Sequence, residues 1–422
     1  MKYKENELKE GIKLHTIKTN KFKTNLVAVF LTTKLSRKNI TKNALISMIL
    51  RRGSRNMSTQ EKISKTMEEM YGASFDCGLD KTGDNQVLKF YIESINDNFL
   101  PKQGENILEK SIKSLFEIIF DPYIENYGFK NEYIEQEKNN IKQRIDGKID
   151  NKARYAMDRC IEEMYKDKPF GLYKFGYIED LATINGKNLY DYYKILINSC
   201  KIDIFVSGDI SEKIENTVKQ DENILRLKER KADYIVPKLE LKEQRKEQII
   251  TESMDVTQGK LLLGLDVNIN DEKLKYDTLI YNSILGGSAN SKMFQNVREK
   301  AHLAYVASSS YLRHKSNIFV NCGIEIENYE KALDLIRKQI DDMKKGEFTD
   351  KDIQDAKTGI LANIKTIEDE QDTELTYYFG QELAQRRTTI EEYEEKINNV
   401  SKENIINIAN KVSINTIYFL RD

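Results

Sequence analysis

Ile284-Leu285-Gly286-Gly287-Ser288, followed by Ala304-Tyr305-Val306-Ala307-Ser308, decides the fold, because the chain carries a second version of it. The earlier copy reads Ile49-Leu50-Arg51-Arg52-Gly53-Ser54 and then Met70-Tyr71-Gly72-Ala73-Ser74, and the step from Gly53 to Tyr71 equals the step from Gly287 to Tyr305. Downstream, Phe129-Lys130-Asn131-Glu132-Tyr133-Ile134 is echoed by Phe348-Thr349-Asp350-Lys351-Asp352-Ile353, with Lys138 and Lys357 at matching places. Each copy closes on a short β-rich run, Ile202-Asp203-Ile204-Phe205-Val206 in one and Thr416-Ile417-Tyr418-Phe419-Leu420 in the other. An ordered series of matches at half-chain spacing marks an internal duplication.

Within a half, the strand Leu26–Leu31 precedes a helix over Ala44–Leu50 and a second over Thr59–Met70. A hairpin follows, with turn chemistry at Asp80–Asn85 and a return strand Val87–Ile92, and then long helical pattern that includes Glu132–Tyr165. Strand and helix runs mixed in this way predict an α+β fold, with helices on one face of a mainly antiparallel sheet. The segment from Gln220 to Lys246, dense in Lys, Glu and Arg and holding Pro237, reads as an extended solvated linker or as a charged helix–strand excursion within one domain. The linker reading divides the chain into an N-terminal half 1–221, a linker 222–246 and a C-terminal half 247–422.

Composition bounds the function classes. At 422 residues the chain exceeds one ordinary core. Its 67 Lys and Arg nearly cancel 68 Asp and Glu, leaving no broad basic field for nucleic acid or acidic lipid. The N-terminal residues lead into no apolar signal region, and no run approaches the ~20 apolar residues of a membrane span, so a cytoplasmic location is expected. Cys77, Cys160, Cys200 and Cys322 are scattered without a CxxC pair, which argues against a disulfide framework or zinc ribbon. His15, His302 and His314 form no HxxxH or His–Cys cluster.

Several residues of the second half form a recognisable series: Gln258, Leu285-Gly286-Gly287, Ser291, Phe294, Arg298-Glu299-Lys300 and Leu303-Ala304-Tyr305. It resembles the C-terminal half of the pitrilysin/insulinase/mitochondrial-processing-peptidase family of inverzincins. Arg52-Gly53-Ser54, the Glu137-Lys138 helix and Val206-Ser207-Gly208-Asp209 carry the likeness into the first half. Glu68-Glu69-Met70-Tyr71-Gly72-Ala73 looks like the zinc-less members found in Gram-positive bacteria. The resemblance implies two duplicated halves, each of two related α/β-roll domains, forming a clam-like chamber. The family's chemistry needs HxxEH on a helix: histidines at i and i+4 share a face and ligate zinc, and the intervening Glu acts as general base. Aligned on Gly53, those positions hold Ala44, Ser47 and Met48, and the later glutamate ligand falls at Arg144. None of these is a useful zinc donor, so no cofactor is expected in this chain and zinc is expected in a partner.

By the same resemblance, Arg298 and Tyr305 hold the substrate backbone and stabilise the oxyanion, in trans where zinc and Arg/Tyr belong to different subunits, and Gly286 and Gly287 help wall the chamber. Read without the family, Arg298 is one more exposed helical charge, Tyr305 a packed strand residue and Gly286-Gly287 a helix-ending turn. His302 occupies a place where the family commonly has Gly. The partners implied are an HxxEH-bearing paralogous subunit and a peptide substrate, with a homodimer conceivable for the isolated chain. The competing expectation is a non-catalytic peptide-binding or assembly protein with a peptidase-derived chamber.

Overall fold

The computed structural model describes residues 2–101, 104–239, 241–243 and 245–422. Two sheets organise it. The first contains β1 (Tyr3–Lys9), β2 (Ile12–Lys18), β3 (Thr24–Lys34), β4 (Ser74–Thr82), β5 (Asn85–Ile95) and β6 (Lys201–Gly208), in the order β1-β2-β6-β3-β5-β4. The second contains β7 (Gln248–Ser253), β8 (Gly259–Val267), β9 (Ala304–Leu312), β10 (Asn317–Ile324) and β11 (Val412–Arg421), in the order β7-β11-β8-β10-β9. Apart from β1 the orders match strand for strand. So do the orientations: β2 runs parallel to β6 as β7 does to β11, and the remaining neighbours in both sheets are antiparallel. The helices Asn131–Asp146 and Asp350–Lys365 also correspond, with Lys138 and Lys357 at the same position of each. The fold is α+β with two mixed, mainly antiparallel sheets, and each half of the duplication supplies one sheet.

The two apolar runs that close the repeats lie inside the sheets rather than at their edges. β6 sits between β2 and β3, and β11 between β7 and β8. Every residue of β6 is buried. Continuous apolar sequence is what a strand covered on both faces requires. On one face of the first sheet, Val27, Val29, Leu31, Ile202, Ile204 and Val206 pack into the core formed with the surrounding helices. On the other face, Phe30 and Phe205 meet Phe379 at ring-centre separations of 4.6 and 6.5 Å.

Phe379 comes from the far end of the chain, and this exposes a feature that the linear division 1–221, 222–246 and 247–422 does not contain. One compact unit comprises Met1–Asp146, Leu172–Val236 and Glu368–Gly380; the other comprises Gly147–Gly171, Pro237–Ile367 and Gln381–Asp422. Ala156, Cys160 and Met164 of the helix Lys152–Met164 accordingly pack with Leu262, Phe319 and Tyr418 of the second sheet. The long helical pattern Glu132–Tyr165 is therefore two helices, Asn131–Asp146 and Lys152–Met164, broken by a short 3₁₀ turn at Gly147–Asp150 where the chain leaves one unit for the other.

The charged midpoint also divides. Glu222–Arg226 is a short helix, and the following residues to Val236 are strapped to the first unit. Arg230 is buried there and donates to the carbonyl of Ile197 at 2.8 Å, while Asn85 and Ile235 exchange two hydrogen bonds. Beyond Pro237 the segment belongs to the second unit, where Lys242 pairs with Asp266 at 2.9 Å. The described residues of 227–247 form no helix or strand, as a linker would not, but backbone and guanidinium donors fasten them; Glu240 and Gln244 lie outside the described residues.

Candidate functional site

Ala44, Ser47 and Met48 lie on the helix Ile40–Ile49, which is buried almost throughout. Ala44 and Met48 stand one turn apart on the same face, the spacing that two zinc-binding histidines would use, but they offer a methyl and a thioether to the core. The Ser47 hydroxyl is spent on the Ala44 carbonyl at 2.8 Å. Arg144 sits in the last turn of the helix Asn131–Asp146, exposed, with its guanidinium 5.4 Å from the Phe175 ring centre.

Two turns before Arg144, Glu137 is the one carboxylate at this place, and it is buried and committed. It accepts from Arg52 on one oxygen and from the Asn140 amide at 2.9 Å on the other. These groups surround a cavity of about 450 Å³ whose lining includes Met48, Arg51, Arg52, Glu137 and Arg144. Zinc sites are built from imidazole, thiolate and carboxylate. This set supplies guanidinium groups, a thioether and a carboxylate already paired with arginine, so the residues do not fit the ion.

None of the three histidines stands at these positions. His15 in β2 is fully buried, with Nε2 3.0 Å from Asp203 and Nδ1 2.8 Å from the Tyr3 hydroxyl, so both ring nitrogens are engaged. His314 belongs to the second unit, where burial first, then the charges of Lys275, Arg386 and Arg313, push its pKa down to about 4. His302 lies outside any strand or helix in that same unit.

The second unit carries the other candidates on a compact run of elements. Ser283–Gly287 and Met293–Lys300 are both π-helical, a geometry enriched at functional sites, and the latter packs against β9. Arg298 projects from it with its side chain 43% exposed, held among the described residues by sequence neighbours: Glu299 at 3.2 Å and the Phe294 ring at 4.6 Å. Tyr305 is the second residue of β9, the edge strand of its sheet, and is 61% exposed. Its hydroxyl donates to Glu325 at 2.9 Å, and that carboxylate holds the phenol above its usual pKa. Both side chains are available to a ligand rather than absorbed into the core.

Gly286 is different. It is buried, and a Cβ there would stand 2.7 Å from the backbone nitrogen of Ser309 and 2.6 Å from its hydroxyl. The residue lets the π-helical turn touch β9, so its role is close packing, while Gly287 is exposed beside it. Gly286→Ala is expected to destabilise by about 1–3 kcal/mol in urea unfolding, because backbone must move to make room.

His302 joins the π-helix to β9 at φ +53°, the left-handed region, which explains why glycine suits that place. His302→Val is expected to lower stability by roughly 1–2 kcal/mol by thermal or urea unfolding, and His302→Gly to leave it level or raise it. The same geometry corrects the repeat register. Tyr71 is itself left-handed, φ +59°, and precedes β4, whereas Tyr305 is already within β9. Counted by elements, His302 and not Tyr305 corresponds to the Tyr71-Gly72 turn.

Comparisons with known proteins agree with this anatomy. Residues 183–360 match the family model described as the peptidase M16 inactive domain. Among curated proteins, the chain is 34% identical to the probable inactive metalloprotease YmfF of Bacillus subtilis, over 99% of this chain and 98% of that one. Among solved structures, a conserved protein from Enterococcus faecalis superposes with a TM-score of 0.89 at 29% identity, covering 100% of this chain and 99% of that chain. An M16 inactive domain from Pseudomonas fluorescens shares the fold with a TM-score of 0.80 at 17% identity, covering 100% and 98%. Among the described residues no helix is long and apolar enough to cross a membrane.

Proposed function

Because this chain belongs to the M16 peptidase family, among its inactive members, we propose that it serves as the zinc-less subunit of a two-chain peptidase and lends Arg298 and Tyr305 to a partner's active site. One observation carries the reading: the zinc positions hold a methyl, a hydroxyl, a thioether and a guanidinium, while Arg298 and Tyr305 are exposed seven residues apart in sequence, at a π-helix and a sheet edge. Metal-assisted peptide hydrolysis needs a bound water, a base and donors for the oxyanion. The first two requirements would be met by an HxxEH-bearing relative. This chain would meet the third, with a cationic fork and a phenol that keeps its proton.

The division of labour requires association. Tagged chain co-expressed with an HxxEH-bearing relative from the same genome is expected to be captured as a stoichiometric heterodimer. Failure of the two to associate at micromolar concentration would remove the basis of the proposal.

A second reading is favoured by the Glu325 contact, since a phenol already bound to a carboxylate is partly withdrawn from catalysis. On that reading the chain binds peptide or an assembly partner without contributing to chemistry. It expects peptide binding that survives loss of both side chains, in a complex without hydrolysis.

A further inference from the structure

The cavity at the lost metal site has a chemistry of its own. Three arginines line it, Arg51, Arg52 and Arg144, against one carboxylate, Glu137. Glu137 is neutralised within its own pair: Arg52 takes one oxygen and Asn140 the other. Among the described residues neither Arg51 nor Arg144 has an ion-pair partner. Two uncompensated guanidinium groups thus converge on one concavity, with the Gln60, Asn140 and Gln143 amides around them and the Met48 side chain on its wall. Like charges gathered in a partly enclosed space repel unless a counter-charge joins them. Guanidinium forks match the oxygens of carboxylates and phosphates in pairs.

We propose that this cavity is an anion-binding site, and that it takes a small-molecule dianion whose charge resides on a phosphate group or on paired carboxylates. A volume of about 450 Å³ lies within the ~300–1,000 Å³ range of small-molecule pockets and leaves space beyond the charged group for a ligand body. The site needs no partner chain, so it is tested on the isolated protein, and its failure would leave the proposed pairing untouched.

Cys77 in β4 provides a reporter. It is the only cysteine that is not buried, since Cys160, Cys200 and Cys322 all are. Burial pushes its thiol pKa up, while the charges of Arg51 and Arg144 pull against that rise. An anion seated between the two arginines would cancel their pull and leave less thiolate to react.

The experiment follows unfolding temperature and iodoacetamide alkylation of Cys77 at constant ionic strength. Inorganic phosphate and pyrophosphate form one arm, malonate and citrate the other, and chloride is the control. Parallel measurements use Arg51→Gln/Arg144→Gln, which spares the part-buried Arg52–Glu137 pair and so should fold. Stabilisation by about 3 °C or more at roughly 10 mM ligand, with alkylation at least about twofold slower, is expected in one arm and lost in the double variant. A response in the first arm assigns a phosphate ligand, and a response in the second a carboxylate one. No response in either arm, or a response that persists in the double variant, overturns the site.

Discussion

In a complex of this chain with an HxxEH-bearing relative, Arg298→Ala is expected to lower kcat by about 10²–10³-fold, and Tyr305→Phe by a comparable factor. The expectation rests on where the charge goes. As water adds to the scissile carbonyl, an electron pair moves onto oxygen, and preorganised donors that meet it there lower the barrier without affecting the folded chain. Both side chains are exposed and contact few neighbours, so their removal should leave melting temperature and heterodimer yield unchanged. Loss in kcat without loss of assembly separates a chemical role from a structural one. Tyr305→Phe keeps the ring and removes only the hydroxyl, which also releases Glu325 from its present contact. If both variants stay within about twofold of the parent complex, the side chains are not oxyanion donors.

The largest effect on stability is expected at Asp203, far from any proposed chemistry. This carboxylate is fully buried in β6, paired with Lys201 and 3.0 Å from His15. Burial acts to raise its pKa, but the Lys201 charge and the His15 hydrogen bond outweigh it, and the carboxyl sits below its ordinary value. A depressed carboxyl pKa contributes stability that is present above the unfolded-state value, ~3.9, and lost as pH falls through the folded-state value. Asp203→Ala takes the buried carboxylate away from Lys201, which is 4% exposed, and from His15, and should cost about 3–5 kcal/mol at neutral pH. That cost should shrink in acid, where the parent loses the same interaction. Combining Asp203→Ala with Lys201→Met is expected to recover part of the loss, since the buried ammonium is removed along with its buried carboxylate. Equal unfolding free energies for Asp203→Ala and the parent at neutral pH would show that the pair carries no net stability.

Much of this architecture was legible in the residues because duplication leaves two imperfect copies to compare. Strands covered on both faces, such as β3 and β6, announce themselves as continuous apolar runs. Two edge strands did not: β1 (YKENELK) and β7 (QIITES) are half-solvated and largely polar, and β7 directly follows the charged midpoint. The assignment of Gly147–Gly171 and Glu368–Gly380 to the opposite units was equally hidden. A helix's apolar stripe records that it is covered, not which sheet covers it.

The zinc positions were readable as losses, residue by residue. So were the residues that stand there, but not the gathering of arginines around them, because Arg144 lies far in sequence from Arg51 and Arg52, and only the packing of the two helices brings them to one cavity. The signal available was the adjacent Arg51-Arg52 pair after a buried helix, which is unusual beside so apolar a neighbour. Tyr305 was picked out by motif, but its supposed repeat mate was misplaced, because equal spacing in sequence concealed a shift between turn and strand.

The division of labour between two chains is most directly tested by measuring peptide hydrolysis and bound zinc together for three samples: this chain, an HxxEH-bearing relative, and their mixture. The expected result is hydrolysis in the mixture alone, with the metal accounted for by the relative and none held stoichiometrically by this chain. Zinc-dependent hydrolysis by this chain alone, or a stable mixture that cleaves nothing the relative does not cleave unaided, would contradict it.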